Sequence, residues 1–194
     1  MKIIDITRVV QRAPIYPGAS PVVVERVYDM KKDAPFNASK ITTGSHMGTH
    51  ADAYCHFLKD SDVGIDMMEL SRYFGPCKVL TVPEAALVTR EDLEGKIDNC
   101  ERLVLHGGGN SHLTKAAAEY IVESGVLTVV TDAMSVAPID NEVEIHLILL
   151  GAGIAIVENV VLDGVADGDY TLCAFPIKIE GCDGSPVRAV LLPA

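Results

Sequence analysis

SHMGTHADAYCHF, residues Ser45–Phe57, holds three of the chain's six histidines, His46, His50 and His56, together with Asp52. All four stand at even positions. Side chains of an extended strand alternate between faces, so an extended segment would project these four to one side, with Gly48 leaving room between them. A helix is the competing conformation, because His46 and His50 are spaced i,i+4. The zinc-protease helix H-E-x-x-H uses that spacing with Glu after the first His. Met47 stands there instead, and Gly48-Thr49 is poor helix-forming material. The expectation is a strand, or a strand running into a loop.

Further aliphatic and β-branched runs surround this segment. Ile3–Ile6, Val22–Tyr28, Lys40–Thr43, Lys78–Val82, Leu103–Leu105, Val126–Thr131, Ile154–Val157, Tyr170–Ile177 and Val187–Leu192 all have strand character. Helices are expected between them. Thr89 caps Arg90–Lys96, Thr114 caps Lys115–Ser124 with Gly125 at the C′ position, and Glu142–Leu150 stops at Gly151. Interleaved strands and helices predict an α/β fold, a mixed sheet with flanking helices. No repeat or linker divides residues 1–194, so one compact domain is expected.

Composition narrows the partners. Hydrophobic residues make up 48% of the chain and Trp is absent, which suits an aliphatic interior rather than disorder. A net charge of −11 repels phosphate backbones and anionic lipid, so no nucleic-acid or membrane partner is expected. MKIIDITRVV reads as a first strand and not as a signal peptide. The five cysteines are odd in number and include no C-x-x-C pair, which points to a reducing cytoplasm rather than a disulfide framework.

Imidazole and carboxylate are both good ligands for zinc, and for manganese or iron as carboxylate character grows. Asp52 has a second oxygen with which to bridge two ions. A second cluster lies downstream, where His146 and Glu158 bracket the apolar run Leu147–Val157. A helix ending at Gly151, a turn and a strand would return both side chains to one point. An unpaired charge at the end of a buried run is costly, so compensation is expected there.

His46–His56, reading H-M-G-T-H-A-D-A-Y-C-H, resembles the H-x-G-T-H-x-D-x-x-x-H signature of the cyclase-like metal-dependent hydrolases, which include kynurenine formamidases and isatin hydrolases. His146 and Glu158 resemble its second signature in order and spacing. Asp5-Ile6-Thr7, Tyr16-Pro17-Gly18 and Ser185-Pro186-Val187-Arg188 are weaker echoes. The resemblance implies a swivelling β/β/α fold, a homodimer or higher homo-oligomer, and two divalent ions, zinc first and manganese as the alternative. His46, His50 and Asp52 would hold one ion; Asp52, His146 and Glu158 would hold the other. His56 would transfer protons during hydrolysis of a small amide, formamide or cyclic amide. Tyr54 stands where the family often has Pro, and the chain lacks the Trp that its formamidases tend to place around an aromatic substrate. A lactone-opening enzyme and a non-catalytic metal-binding oligomer are the alternatives.

Other residues have blander readings. Gly107-Gly108-Gly109 reads as a plain turn first and a pocket-lining loop second, since it matches no nucleotide-binding fingerprint. His106 and His112 read as surface or capping residues, with substrate contact as the alternative. Cys55 reads as a buried structural thiol, Arg188 as an intramolecular ion pair before a substrate ligand, and Met67–Leu70 as packing.

Overall fold

Leu103-Val104-Leu105 and Val129-Val130 have continuous apolar sequences because both faces of their strands are covered. The computed structural model describes residues 2–84 and 86–194. Its strands are β1 (Ile4–Asp5), β2 (Val23–Tyr28), β3 (Ala38–Thr42), β4 (His50–Asp52), β5 (Phe74–Thr81), β6 (Leu87–Val88), β7 (Arg102–His106), β8 (His112–Leu113), β9 (Thr128–Thr131), β10 (Ala155–Glu158), β11 (Gly168–Cys173), β12 (Gly184–Pro186) and β13 (Val190–Pro193). The α-helices are α1 (Arg90–Leu93), α2 (Lys115–Glu123) and α3 (Glu142–Gly151).

Nine strands form one mixed sheet in the order β1-β13-β11-β5-β7-β9-β10-β4-β12. Its centre, β5-β7-β9-β10, is parallel, and antiparallel pairs extend it on both sides. Leu103, Leu105, Val129 and Ile156 point to one face, where they pack with Leu93, Ala117, Ile121, Ile145 and Leu149 of the helices. Val104, Val130, Ala155 and Val157 point to the other and meet Ile6, Tyr73, Leu172 and Leu191. Burial of each large aliphatic side chain contributes roughly 1.5–3 kcal/mol before entropy is counted. Thr114 caps α2 by accepting from the Ala117 N–H at 3.2 Å.

Several boundaries move for identifiable reasons. The helix expected over Arg90–Lys96 ends at Leu93, because Glu94 adopts a ψ of 129°. Lys96 lies beyond that end and its Nζ caps the Asp92 carbonyl at 2.8 Å. Strand β11 stops at Cys173 and not at Ile177; Pro176 has no N–H for a ladder. The strand expected over Val187–Leu192 starts only at Val190 and pairs with β1 and β11, and a separate strand not expected from the sequence, Gly184–Pro186, precedes it and pairs with β4. β2 and β3 form a separate antiparallel hairpin whose Val23, Val27, Tyr28 and Ile41 side chains are exposed.

Candidate metal centre

The site forms where β4 lies between β10 and β12. In the β10–β4 register His50 stands opposite Glu158, and Asp52 follows two residues later on the same face. Only His50–Asp52 is a strand, so the alternation expected across the whole Ser45–Phe57 segment holds only for those residues. His46 arrives through a turn in which Gly48 has a φ of +69°, a conformation that side-chain-bearing residues rarely adopt. His56 ends the 3-10 turn Tyr54–His56. His146 comes from α3, which turns back into β10 and delivers Glu158.

These elements bring together His46, His50, Asp52, His146 and Glu158. Donor atoms of His46, His50 and Asp52 lie within 4.8 Å of one another, as do those of Asp52, His146 and Glu158. Asp52 belongs to both sets. His50 Nε2 lies 3.5 Å from Asp52 Oδ1 and 3.3 Å from Glu158 Oε2. His146 Nε2 lies 3.7 Å from Asp52 Oδ2 and 3.5 Å from Glu158 Oε1. The opposite ring nitrogens are anchored: His50 Nδ1–H donates to Gly48 O at 2.9 Å and His146 Nδ1–H to Glu142 O at 2.7 Å. Those bonds hold each ring with Nε2 turned towards the carboxylates, as outer hydrogen bonds do for metal-ligating histidines.

Asp52 and Glu158 are 1% and 4% exposed, and two carboxylates so far from water require cationic compensation. Without a bound cation, protons on the histidines would provide it. Burial lowers the His46 and His146 pKa values, but hydrogen bonds and charge from Asp52, Asp183 and Glu158 override it and raise both to about 9. His50 is raised by the same contest. Burial alone would raise Glu158, yet His146 and His50 hold it far below the usual carboxylate range. Asp52 Oδ2 and His46 Nε2 are buried without a hydrogen-bond partner. Nitrogen-and-oxygen donor sets, a shared carboxylate and orphaned donor atoms together fit divalent-metal binding.

His56 stacks on His46 with ring centroids 3.9 Å apart, at the solvent side of the donors. Its pKa is lowered, chiefly by burial and further by His46 and His146, against the opposing charge of Asp52. Asp183 carried no signal in the sequence. Its Oδ1 accepts from Ser45 Oγ at 2.9 Å, and its Oδ2 lies 3.2 Å from His46 Nε2 and 3.7 Å from His56 Nδ1. The approach to His46 lacks hydrogen-bond alignment and is an ion-pair contact. Gly184 permits it, because a Cβ there would lie 2.6 Å from His46 Cε1.

A cavity of about 290 Å³ opens on these groups, with Tyr16, Met47, Phe57, Met134 and Glu142 in its wall. Tyr16 OH donates to Glu142 Oε2 at 2.7 Å, and Phe57 stacks on His146 with ring centroids 4.2 Å apart. The other residues singled out in the sequence lie elsewhere. His112 Nδ1–H donates to Ser135 O, the Gly107 N–H donates to Asp132, and Arg188 pairs with Asp5. His106, Gly108 and Gly109 do not line the cavity. Cys55 is half-buried, and burial and Asp183 push its thiol pKa up, away from thiolate chemistry.

Comparison with known proteins places this geometry in context. The profile of a family described as putative cyclase matches residues 4–138. A kynurenine formamidase of Bacillus cereus is 37% identical over 190 residues, covering 92% of this chain and 90% of that protein. The kynurenine formamidase of Bacillus anthracis is 36% identical with the same coverage. An isatin hydrolase crystallised with the product analogue thioisatinate superposes with a TM-score of 0.86 at 22% identity, covering 100% of this chain and 93% of its own. A predicted metal-dependent hydrolase of Bacillus stearothermophilus superposes with a TM-score of 0.83 at 23% identity, covering 100% and 98% of the two chains. The mixed α/β fold expected from the sequence is the fold of these structures.

Proposed function

This chain belongs to the cyclase family, and on that premise we propose that it is a metal-dependent hydrolase of a non-peptide C–N bond in a small amide, formamide or cyclic amide. The observation that carries the reading is the pair of donor sets sharing the buried Asp52 beside a cavity of small-molecule size. His46, His50 and Asp52 would hold one cation; Asp52, His146 and Glu158 would hold the second. The three imidazoles favour zinc, and the bridging carboxylate with Glu158 keeps manganese as the alternative. When bound, such ions supply Lewis acidity, polarising an amide carbonyl and lowering the pKa of water.

The chain's own groups do the rest. Gly48 and Glu142 carbonyls hold the His50 and His146 rings with Nε2 turned towards the carboxylates. Neutral His56 accepts a proton from attacking water and returns it to the leaving nitrogen, without which the amine is expelled poorly. Phe57 and Met47 close the cavity wall against bulk water and leave an apolar surface for the substrate's ring or alkyl group.

The hairpin β2–β3 supports self-association, because its exposed valines, Tyr28 and Ile41, with Met30 and Phe36 beyond the strands, form an apolar surface outside the main sheet. Light scattering should give at least twice the 20.7 kDa of one chain. No helix among the described residues is long and apolar enough to cross a membrane. The five free cysteines support a reducing, cytoplasmic setting.

The deciding experiment loads metal-free protein with zinc or manganese and follows formanilide, cyclic amides and lactones. The expected result is amide cleavage that appears with metal and disappears with chelator. Tight metal binding with no amide cleavage, or cleavage of lactones alone, would overturn the reading.

A further inference from the structure

Among the residues lining the cavity, one carboxylate stands outside the donor sets. Glu142, the first residue of α3, is half-buried and faces an apolar wall that includes Pro14, Met47 and Met134. Its place at a helix N-terminus explains a negative charge but not its surroundings. Glu144, in the same first turn, points to solvent and pairs with Lys115 at 2.7 Å. Glu142 has no cationic partner among the described residues; its side chain is held by the Tyr16 hydroxyl. That bond raises the Tyr16 pKa, so the phenol stays a donor to the carboxylate. Among the described residues, no Lys or Arg lines the cavity.

Position fixes what Glu142 can reach. Glu142 and His146 lie i,i+4 on one face of α3, about 6 Å apart along its axis at ~1.5 Å per residue. A substrate with its carbonyl beside His146 therefore places a substituent beside Glu142. A carboxylate partly removed from water and held by one neutral donor gains most from a cation that brings its own hydrogen bonds.

We propose that Glu142, steadied by Tyr16, selects the substrate by receiving an ammonium or comparable cationic nitrogen carried about one helical turn from the carbonyl that is cleaved. This rests on the amide-hydrolase reading and narrows it to amides with a positively charged arm.

The test uses the metal-loaded full chain and two probes, formanilide and its meta-aminomethyl derivative, which is an ammonium at neutral pH. The wild type should favour the ammonium probe in kcat/KM. A hydrogen bond between charged groups predicts that Glu142→Gln lowers the ammonium-to-neutral ratio by about 10- to 100-fold. Tyr16→Phe should lower the same ratio by less, and it carries the test if the Gln variant does not fold. A ratio within about twofold of wild type in both variants overturns the selectivity while leaving amide hydrolysis standing, as does a wild type that prefers formanilide. Failure to cleave either probe with metal bound sinks the hydrolase reading and this inference with it.

Discussion

Stripping the metal and raising the pH should unfold this protein in a way that metal prevents. In the metal-free chain, protonated His46 and His146 compensate the buried Asp52 and Glu158. Both imidazoles have folded-state pKa values of about 9 against an ordinary 6.5. A raised folded-state pKa contributes stability that is fully present below pH 6.5 and is lost as the pH rises through about 9. A shift from 6.5 to about 9, at ~1.36 kcal/mol per unit, makes one such histidine worth about 3 kcal/mol. The two share Asp52, so their contributions do not add in full. Glu158 has the opposite linkage: its lowered pKa gives stability present above 4.5 and lost only at lower pH, so it is silent in this window. Urea unfolding in chelator should therefore show a loss of about 3 kcal/mol or more between pH 6.5 and 9, a midpoint fall of roughly 1–3 M. With excess zinc the decline should vanish or reverse, because cations replace protons on the same nitrogens. A chelated midpoint that stays flat across the window, or an equal decline with zinc present, would refute this charge compensation.

Three further outcomes follow from the geometry. His56→Ala should lower kcat by about two to four orders of magnitude with metal content unchanged, measured by elemental analysis; loss of metal would move His56 into the ligand set. Gly184→Ala puts a methyl group 2.6 Å from His46 Cε1 and 2.9 Å from the Ala51 carbonyl, so thermal unfolding should register a cost of about 1–3 kcal/mol and chelators should strip metal more readily. Asp183→Ala removes the carboxylate that Ser45 holds against His46 Nε2, and competition with a chelator should show about 10- to 100-fold weaker metal affinity; an unchanged titration would leave Asp183 without a role.

The donors were legible and their arrangement was only partly so. His50 and Asp52 obey strand alternation because they lie in a ladder; His46 and His56 share their even numbers but reach the site through a left-handed glycine and a 3-10 turn. The outcome matched the even spacing while its cause differed, since alternation describes hydrogen-bonded strands and not turns. His146 and Glu158 were readable because a local helix–turn–strand unit joins them. Asp183 was not, because it meets His46 only through pairing between β12 and β4, residues distant in sequence, and one acid among twenty-seven carries no periodic mark. The same holds for Glu142 and Tyr16, whose hydrogen bond spans 126 positions.

That division has a physical origin in where the sheet changes direction. The parallel strands β5, β7, β9 and β10 end together, and β10 delivers Glu158 at its carboxyl end, the position at which open α/β sheets leave a crevice for ligands. A further parallel neighbour would extend the sheet past that crevice. The antiparallel β4 instead sets His50 opposite Glu158, so one ladder register fixes a carboxylate against an imidazole without a loop between them. α3, packed between β9 and β10 in chain order, brings His146 over the same point from above. Each donor of the inner set thus rides on a packed strand or helix, which holds its side chain more closely than a loop would. His46, His56 and Asp183 ride on turns and loops at the solvent side, where a proton-carrying imidazole needs freedom to exchange with water. Substitution of His50, Asp52, His146 or Glu158 should therefore abolish metal binding, whereas substitution of His56, on its 3-10 turn, should alter turnover.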